Sequence, residues 1–280
     1  MLLLVAAGQV PSFDEAANLT FTGLAPAPIT LLNGVWEGNP SVPGSAARLR
    51  VELLTSVAVT GDLAGDSTPE SVMLLAVSSG GSGTRLHLAV VGRTGGRVLN
   101  LATVEVGDRV QVRRTTVTNR RIEMDVVRAG PDDAMCCPTE KAHLTWVLEG
   151  TRLVPQGDAV TGRASIDDIA GTEWLLTHFD WTERAPDTPP VTLELRGGAL
   201  AGRGGCNRYT GGAKAAEGAG GFTIGPVAAT RMACAPEAMR VEDRFLAALS
   251  SVTSYSFQAG QLVLGYEQQG GRKSLRFSPR

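Results

Sequence analysis

The chain lacks any continuous apolar run of 18 or more residues, so it offers no helical stretch able to cross a bilayer. It also lacks an excess of charge. A formal net charge of −2 and a pI near 6.0 exclude a basic nucleic-acid platform. Histidine is scarce: His87, His143 and His178 are the only three, and none stands at a recognisable catalytic spacing from a cysteine. The carboxylates scatter without forming a pair suited to acid–base work. A phosphate loop is missing too. Residues 78–84 are rich in glycine and serine but lack the Lys-Ser/Thr ending, and they read as a hairpin connection. No enzyme signature is present.

What the chain does have is glycine (34), proline (15) and a hydrophobic share of 43%, with only 5% aromatics. That balance predicts real cores built from many short strands and turns. At 280 residues, two domains of ordinary size are expected. Residues 1–30 comprise a signal-like start and a proline-containing irregular lead-in. From residue 31 the pattern turns to β. Leu49, Val51 and Leu53 alternate onto one face, and 71–77 is an apolar run short enough for a strand buried on both faces. Further strand-like runs follow at hairpin spacing, which predicts one antiparallel β domain over 31–154. Residues 155–170 are polar and aperiodic and read as a linker, with a second domain over 171–280. In that domain one helix interrupts the strands. Pro236 suits its first turn, and Met239, Phe245, Leu246, Leu249 and Val252 form an apolar stripe expected to pack on the sheet. Trp36, Trp146, Trp174 and Trp181 read as core or rim packing.

Four cysteines fall in two settings. Cys206 and Cys234 stand 28 residues apart and, with no base at catalytic spacing, read as a disulfide. Cys136 and Cys137 are adjacent. They lack the two-residue gap with which paired thiolates grip zinc, which weakens a metal site with His143; a vicinal disulfide, a bond elsewhere and two buried thiols remain open. Residues 1–7, Met-Leu-Leu-Leu-Val-Ala-Ala, have the apolar core and small-residue end of a secretory signal without its basic start or full length. They predict export to the periplasm or cell envelope, with a buried strand as the alternative.

The stretch 202–234 concentrates the unusual residues. It carries Gly205-Cys206-Asn207-Arg208-Tyr209-Thr210-Gly211 and then Thr230-Arg231-Met232-Ala233-Cys234. With the opening Trp174-Leu175-Leu176, the helix bearing Glu242, Phe245 and Leu249, and a closing Leu-x-Leu then Leu-x-Phe at 262–264 and 275–277, residues 171–280 resemble the META domain (HslJ-like) family. The resemblance implies a partly open β-barrel with one packed helix, often exported and linked to stress tolerance, with no agreed molecular activity. Read as residues, Asn207, Arg208 and Arg231 either lock a barrel corner or form an anion or carboxylate site with nearby glycine amides.

In the first domain, Asp62, Asp66 and Glu70 within 61–70 resemble the acidic calcium loops of FG-GAP and dockerin-like repeats. Ala64 replaces an expected ligand and Ser67 an expected glycine, so calcium is short of oxygens there. The wider N-terminal segment, with Gly107-Asp108-Arg109-Val110 and Met135-Cys136-Cys137-Pro138, resembles modules that accompany META domains in exported bacterial proteins. The sequence thus predicts a mainly β, two-domain, non-enzymatic envelope protein with a binding or structural role. It has no cofactor unless calcium, an unidentified protein or small-molecule partner, no nucleic acid and no membrane span. A calcium-dependent adhesion module and a hydrolase with an unadvertised site are the alternatives.

Overall fold

The computed structural model describes residues 9–40, 47–81, 83–134, 136–268 and 270–280, the side chains of 55–58 excepted. The signal-like residues 1–7, Ser82 of the Gly/Ser-rich connection and Met135 lie outside the described residues. The chain is mainly β and divides into two compact units, Met1–Gly162 and Arg163–Arg280.

In the first unit, strands Val35–Pro40, Arg48–Gly61, Glu70–Ser78, Thr84–Thr94 and Arg97–Asp108 pair antiparallel in chain order as a five-stranded meander. The apolar run over Glu70–Ser78 is buried along nearly its whole length, as a central strand with both faces covered requires. Strands Gln111–Thr118, Arg121–Arg128, Glu140–Glu149 and Arg152–Arg163 form a second, four-stranded antiparallel sheet.

Two expected boundaries differ from the structure. The lead-in is part of the fold: Ala16, Phe21, Ile29 and Leu31 pack in one core with Val51, Leu53, Met73, Leu75, Ala89 and Val91 of the sheet. A one-turn helix, Phe13–Ala16, starts from a capping box in which Ser12 and Glu15 exchange hydrogen bonds. Arg93 reaches it from the sheet, donating to Gln9 O at 2.7 Å and to Glu15 at 2.6 Å. These donors, the Ser12 backbone first, hold the Glu15 carboxyl below its usual range. The linker expected over 155–170 is strand as far as Arg163, followed by a 3-10 turn over Ile166–Ile169. The reason is exposure. In Arg152–Arg163 only Leu153 is buried, so the strand has no apolar alternation to read.

His87 lies in the five-stranded sheet, 4% exposed. Burial pushes its imidazole below the ordinary 6.5, outweighing the attraction of Glu105, whose carboxylate is 3.9 Å away. The native state therefore prefers neutral His87, and the unfolded chain binds the extra proton. Its contribution to stability is full above pH 6.5 and declines as the pH falls below it, by at most about 1.4 kcal/mol per pH unit. Urea melts between pH 5 and 8 should show this slope in the native protein, and His87→Leu should flatten it.

In the second unit the hydrogen-bonded order is Phe222–Ile224, Arg208–Ala215, Ala199–Arg203, Thr192–Arg196, Trp174–Phe179, Gly271–Pro279, Gln261–Gln268, Val252–Gln258. The two ends meet. Gly221 bridges to Ser254, and Tyr255 N–H donates to Gly220 O at 2.8 Å, so the sheet is a nearly closed barrel. Helix Pro236–Leu249 buries Ala238, Glu242, Phe245, Ala248 and Leu249. Phe245 meets Tyr209 and Phe277 edge-on, at centroid distances of 5.5 and 6.5 Å. Of the predicted apolar stripe, Val252 heads the following strand, Met239 and Leu246 are half-buried, and a carboxylate, Glu242, takes a core position instead. Trp174 is buried with its indole N–H donating to Ile169 O at 2.9 Å, whereas Trp181 is exposed beneath the Arg276 guanidinium.

Candidate functional site

The Ala199–Arg203 and Arg208–Ala215 strands pair with Gly202 opposite Tyr209 and Arg203 opposite Arg208, which leaves 204–207 as the connection. Gly204 N–H donates to Asn207 O at 2.9 Å and closes this turn. Two glycines are required there. A Cβ on Gly202 would lie 2.0 Å from the Thr192 carbonyl oxygen, and Gly205 has φ +132°, in the region that favours glycine.

Asn207 is 2% exposed and joins three segments. Its Oδ1 accepts from Thr230 Oγ1 and from Met232 N–H, each at 2.8 Å. Its Nδ2 donates to Glu242 Oε1 at 2.8 Å and to Met232 O at 3.4 Å. Its backbone N–H donates to Glu242 Oε2. Both protons and both lone pairs of the amide are used, and so are both oxygens of Glu242, itself 4% exposed. Cys206 and Cys234 are bonded, with Cα atoms 6.0 Å apart, and tie the same turn to the segment after Met232. The two sequence motifs and the helix thus converge on one asparagine and one glutamate, and the asparagine amide has no hydrogen-bonding capacity left over for a ligand.

Of the three ligand candidates, Asn207 is therefore spent inside the protein. Arg208 and Arg231 are exposed. Arg208 faces a cleft of about 400 Å³ with Arg203, Arg280, Glu173, Thr192 and Tyr209, and Arg231 is not in its lining. Arg203 and Arg280 were not singled out in the sequence. Tyr209 donates its hydroxyl proton to Thr192 O at 2.8 Å, and burial pushes its pKa far up, so it stays a neutral phenol.

The loop around Asp62, Asp66 and Glu70 directs its carboxylates at backbone amides. Asp62 Oδ1 accepts from Gly65 N–H at 2.6 Å and Asp66 N–H at 3.1 Å, and its Oδ2 from Ser67 N–H at 3.1 Å. Asp66 accepts from Thr68 N–H, and buried Glu70 from Leu63 N–H at 2.7 Å and Ala64 N–H at 3.2 Å. Arg120 Nη2 donates to Ala64 O at 2.9 Å, which sets a guanidinium against the loop. Among the described residues no group of three His, Cys, Asp or Glu side chains is placed to hold a metal. Asp62→Ala should lower the melting temperature by a few degrees, the cost of about 1–2 kcal/mol of lost loop hydrogen bonds. Scanning fluorimetry should give the same shift with and without millimolar calcium; a calcium-dependent rise lost in the variant would instead place the ion in this loop.

Cys136 and Cys137 are bonded to each other, in a loop held by Asp133, which accepts from Gly130 N–H at 2.9 Å and from Thr139 N–H at 2.6 Å. His143 stands apart from them, its Nδ1 at 2.8 Å from Asp125 Oδ1. That pair resembles an oriented base, but among the described residues no hydroxyl or thiol is hydrogen-bonded to it. His178 has its imidazole pKa pushed down by burial, then by Arg276 and Arg184.

The corner at 204–207 falls within the part of the chain that matches a known domain model. The META domain model matches residues 167–278, the C-terminal part of the chain. A solved NMR structure of a protein from Burkholderia xenovorans is similar at 25% identity, covering 40% of this chain and 83% of that one, with a TM-score of 0.33. No curated protein matches the chain.

Proposed function

We propose that this chain, which carries a META domain over residues 167–278, is an exported, non-enzymatic protein of the periplasm or cell envelope. Its role on this reading is to bind a partner or small ligand, or to support the envelope under stress. The observation that carries the proposal is that all four cysteines are paired, an arrangement that persists in oxidising compartments and is rare in a reducing cytosol. No helix among the described residues is long and apolar enough to cross a membrane, which is compatible with the reading and leaves a barrel span untouched. The hydrogen bonds of Asn207 and Glu242 go to the protein's own backbone and side chains, which favours a scaffold role for the most distinctive residues. The stress link rests on the family resemblance alone.

Fractionation of the native host tests this. The protein should be released with the periplasm or recovered with the envelope. Recovery from the cytosol with reduced thiols would overturn the proposal.

A further inference from the structure

We propose that the cleft at the Arg203–Arg208 hairpin end binds a phosphate group, gripped between the two guanidiniums. The inference deepens the binding role above and rests on it. Arg203 and Arg208 are direct cross-strand partners, so their side chains leave the sheet about 5 Å apart. Like charges directly opposite are unfavourable, and among the described residues no carboxylate pairs with either. The carboxylate in the cleft, Glu173, is already engaged by Arg280, whose Nη1 lies 3.3 Å from Oε2. Tyr209 contributes a phenol whose proton is committed to Thr192 O, and so adds no negative charge. The cleft lining is therefore cationic, three arginines against one glutamate.

The backbone at the base of this pair is tied to neighbouring segments. Arg203 N–H donates to Thr192 Oγ1 at 3.2 Å, and Arg208 N–H to Thr230 Oγ1 at 3.3 Å. Between them the turn 204–207 is fixed by Glu242, by Asn207 and by the Cys206–Cys234 bond. Fixing the two strand ends before binding lowers the ordering cost that a ligand must offset. Two guanidiniums on paired positions lining one cleft suit a tetrahedral dianion better than a carboxylate, whose two oxygens a single arginine can satisfy. A phosphate monoester carries about −1.5 to −2 charge at neutral pH, matching two guanidiniums. A cleft of about 400 Å³ has room for more than the phosphate itself, so an ester is favoured over the free ion.

Chemical-shift titration of the full, oxidised chain at low ionic strength tests the site, with inorganic phosphate, glycerol 3-phosphate and acetate as probes. Saturable shifts centred on the amides of 202–209 are expected with both phosphates, tighter for the ester, and at least tenfold weaker with acetate. Equal affinity for the two phosphates would assign the free ion as ligand and uphold the site. Arg203→Gln with Arg208→Gln should weaken phosphate at least tenfold. Arg240→Gln, which removes an exposed arginine paired with Glu237 on the helix, should leave it unchanged. No saturation, acetate binding as tightly as phosphate, or equal weakening in both variants would overturn the inference. An envelope-located protein that fails to bind phosphate would sink this inference alone, whereas a cytosolic, thiol-reduced protein that binds it would sink the functional reading and leave the site standing.

Discussion

Glu242→Ala should cost about 3–4 kcal/mol, the largest single effect expected of any polar residue in the C-terminal unit. Both oxygens of this buried carboxylate accept from Asn207, one from its backbone N–H and one from its side chain. Truncation strands two buried donors at about 1–3 kcal/mol each and leaves a gap beside Gly204, where a glycine Cβ would already stand 3.0 Å from Glu242 Cγ. For a unit of this size the transition should fall by about 10–20 °C. Glu242→Gln should fall in between, because its amide can accept one of the two bonds but must turn a donor toward the other. Calorimetry of the two variants checks both the size and the order. A loss under about 1 kcal/mol in the alanine variant would mean that the corner is not held by this carboxylate.

Removing the Cys206–Cys234 bond should be nearly as costly. Loop closure across 28 residues contributes about 3–4 kcal/mol in the chain-entropy model, and the bond joins the turn to the segment that carries Thr230 and Met232. Cys206→Ala with Cys234→Ala should therefore lower the transition by about 10–15 °C. Reductant should bring the native protein down toward the same value and leave the variant unmoved. Cys136→Ala with Cys137→Ala makes the contrast: adjacent residues close almost no loop, and the expected shift is within about 0.5 kcal/mol.

These two effects share a site whose parts were legible in the sequence while their connection was not. The glycines, Cys206, Asn207, Thr230 and Cys234 all stood out from the surrounding strands. Their meeting point is Glu242, 35 residues beyond Asn207, on a helix face that binary patterning assigns to apolar residues. The spacing of Ala238, Glu242, Phe245 and Leu249 placed a carboxylate on the buried stripe, and a buried carboxylate demands partners. That was the available signal. Arg203 could be linked to Arg208 only once the turn length and register were fixed, so the sequence paired Arg208 with nearby Arg231 instead.

The fold shows the same division. Strands with one buried face, or with two as in Glu70–Ser78, announce themselves by period. Arg152–Arg163 is almost wholly exposed and therefore silent. The lead-in has its capping box in plain view at Ser12 and Glu15, but what docks it is Arg93, 78 residues from Glu15. The Asp62 loop was correctly readable as a turn. That Arg120 donates to its carbonyl arises from a contact 56 residues away, outside the reach of local pattern.

The central claim is that the corner at 204–207 is an oxidised structural staple, and intact mass after alkylation of the unreduced native protein, followed by peptide mapping, tests it most directly. The account predicts no alkylated thiol and a crosslinked peptide joining Cys206 to Cys234. Four alkylated cysteines would contradict it, removing both the staple and the argument for an oxidising compartment.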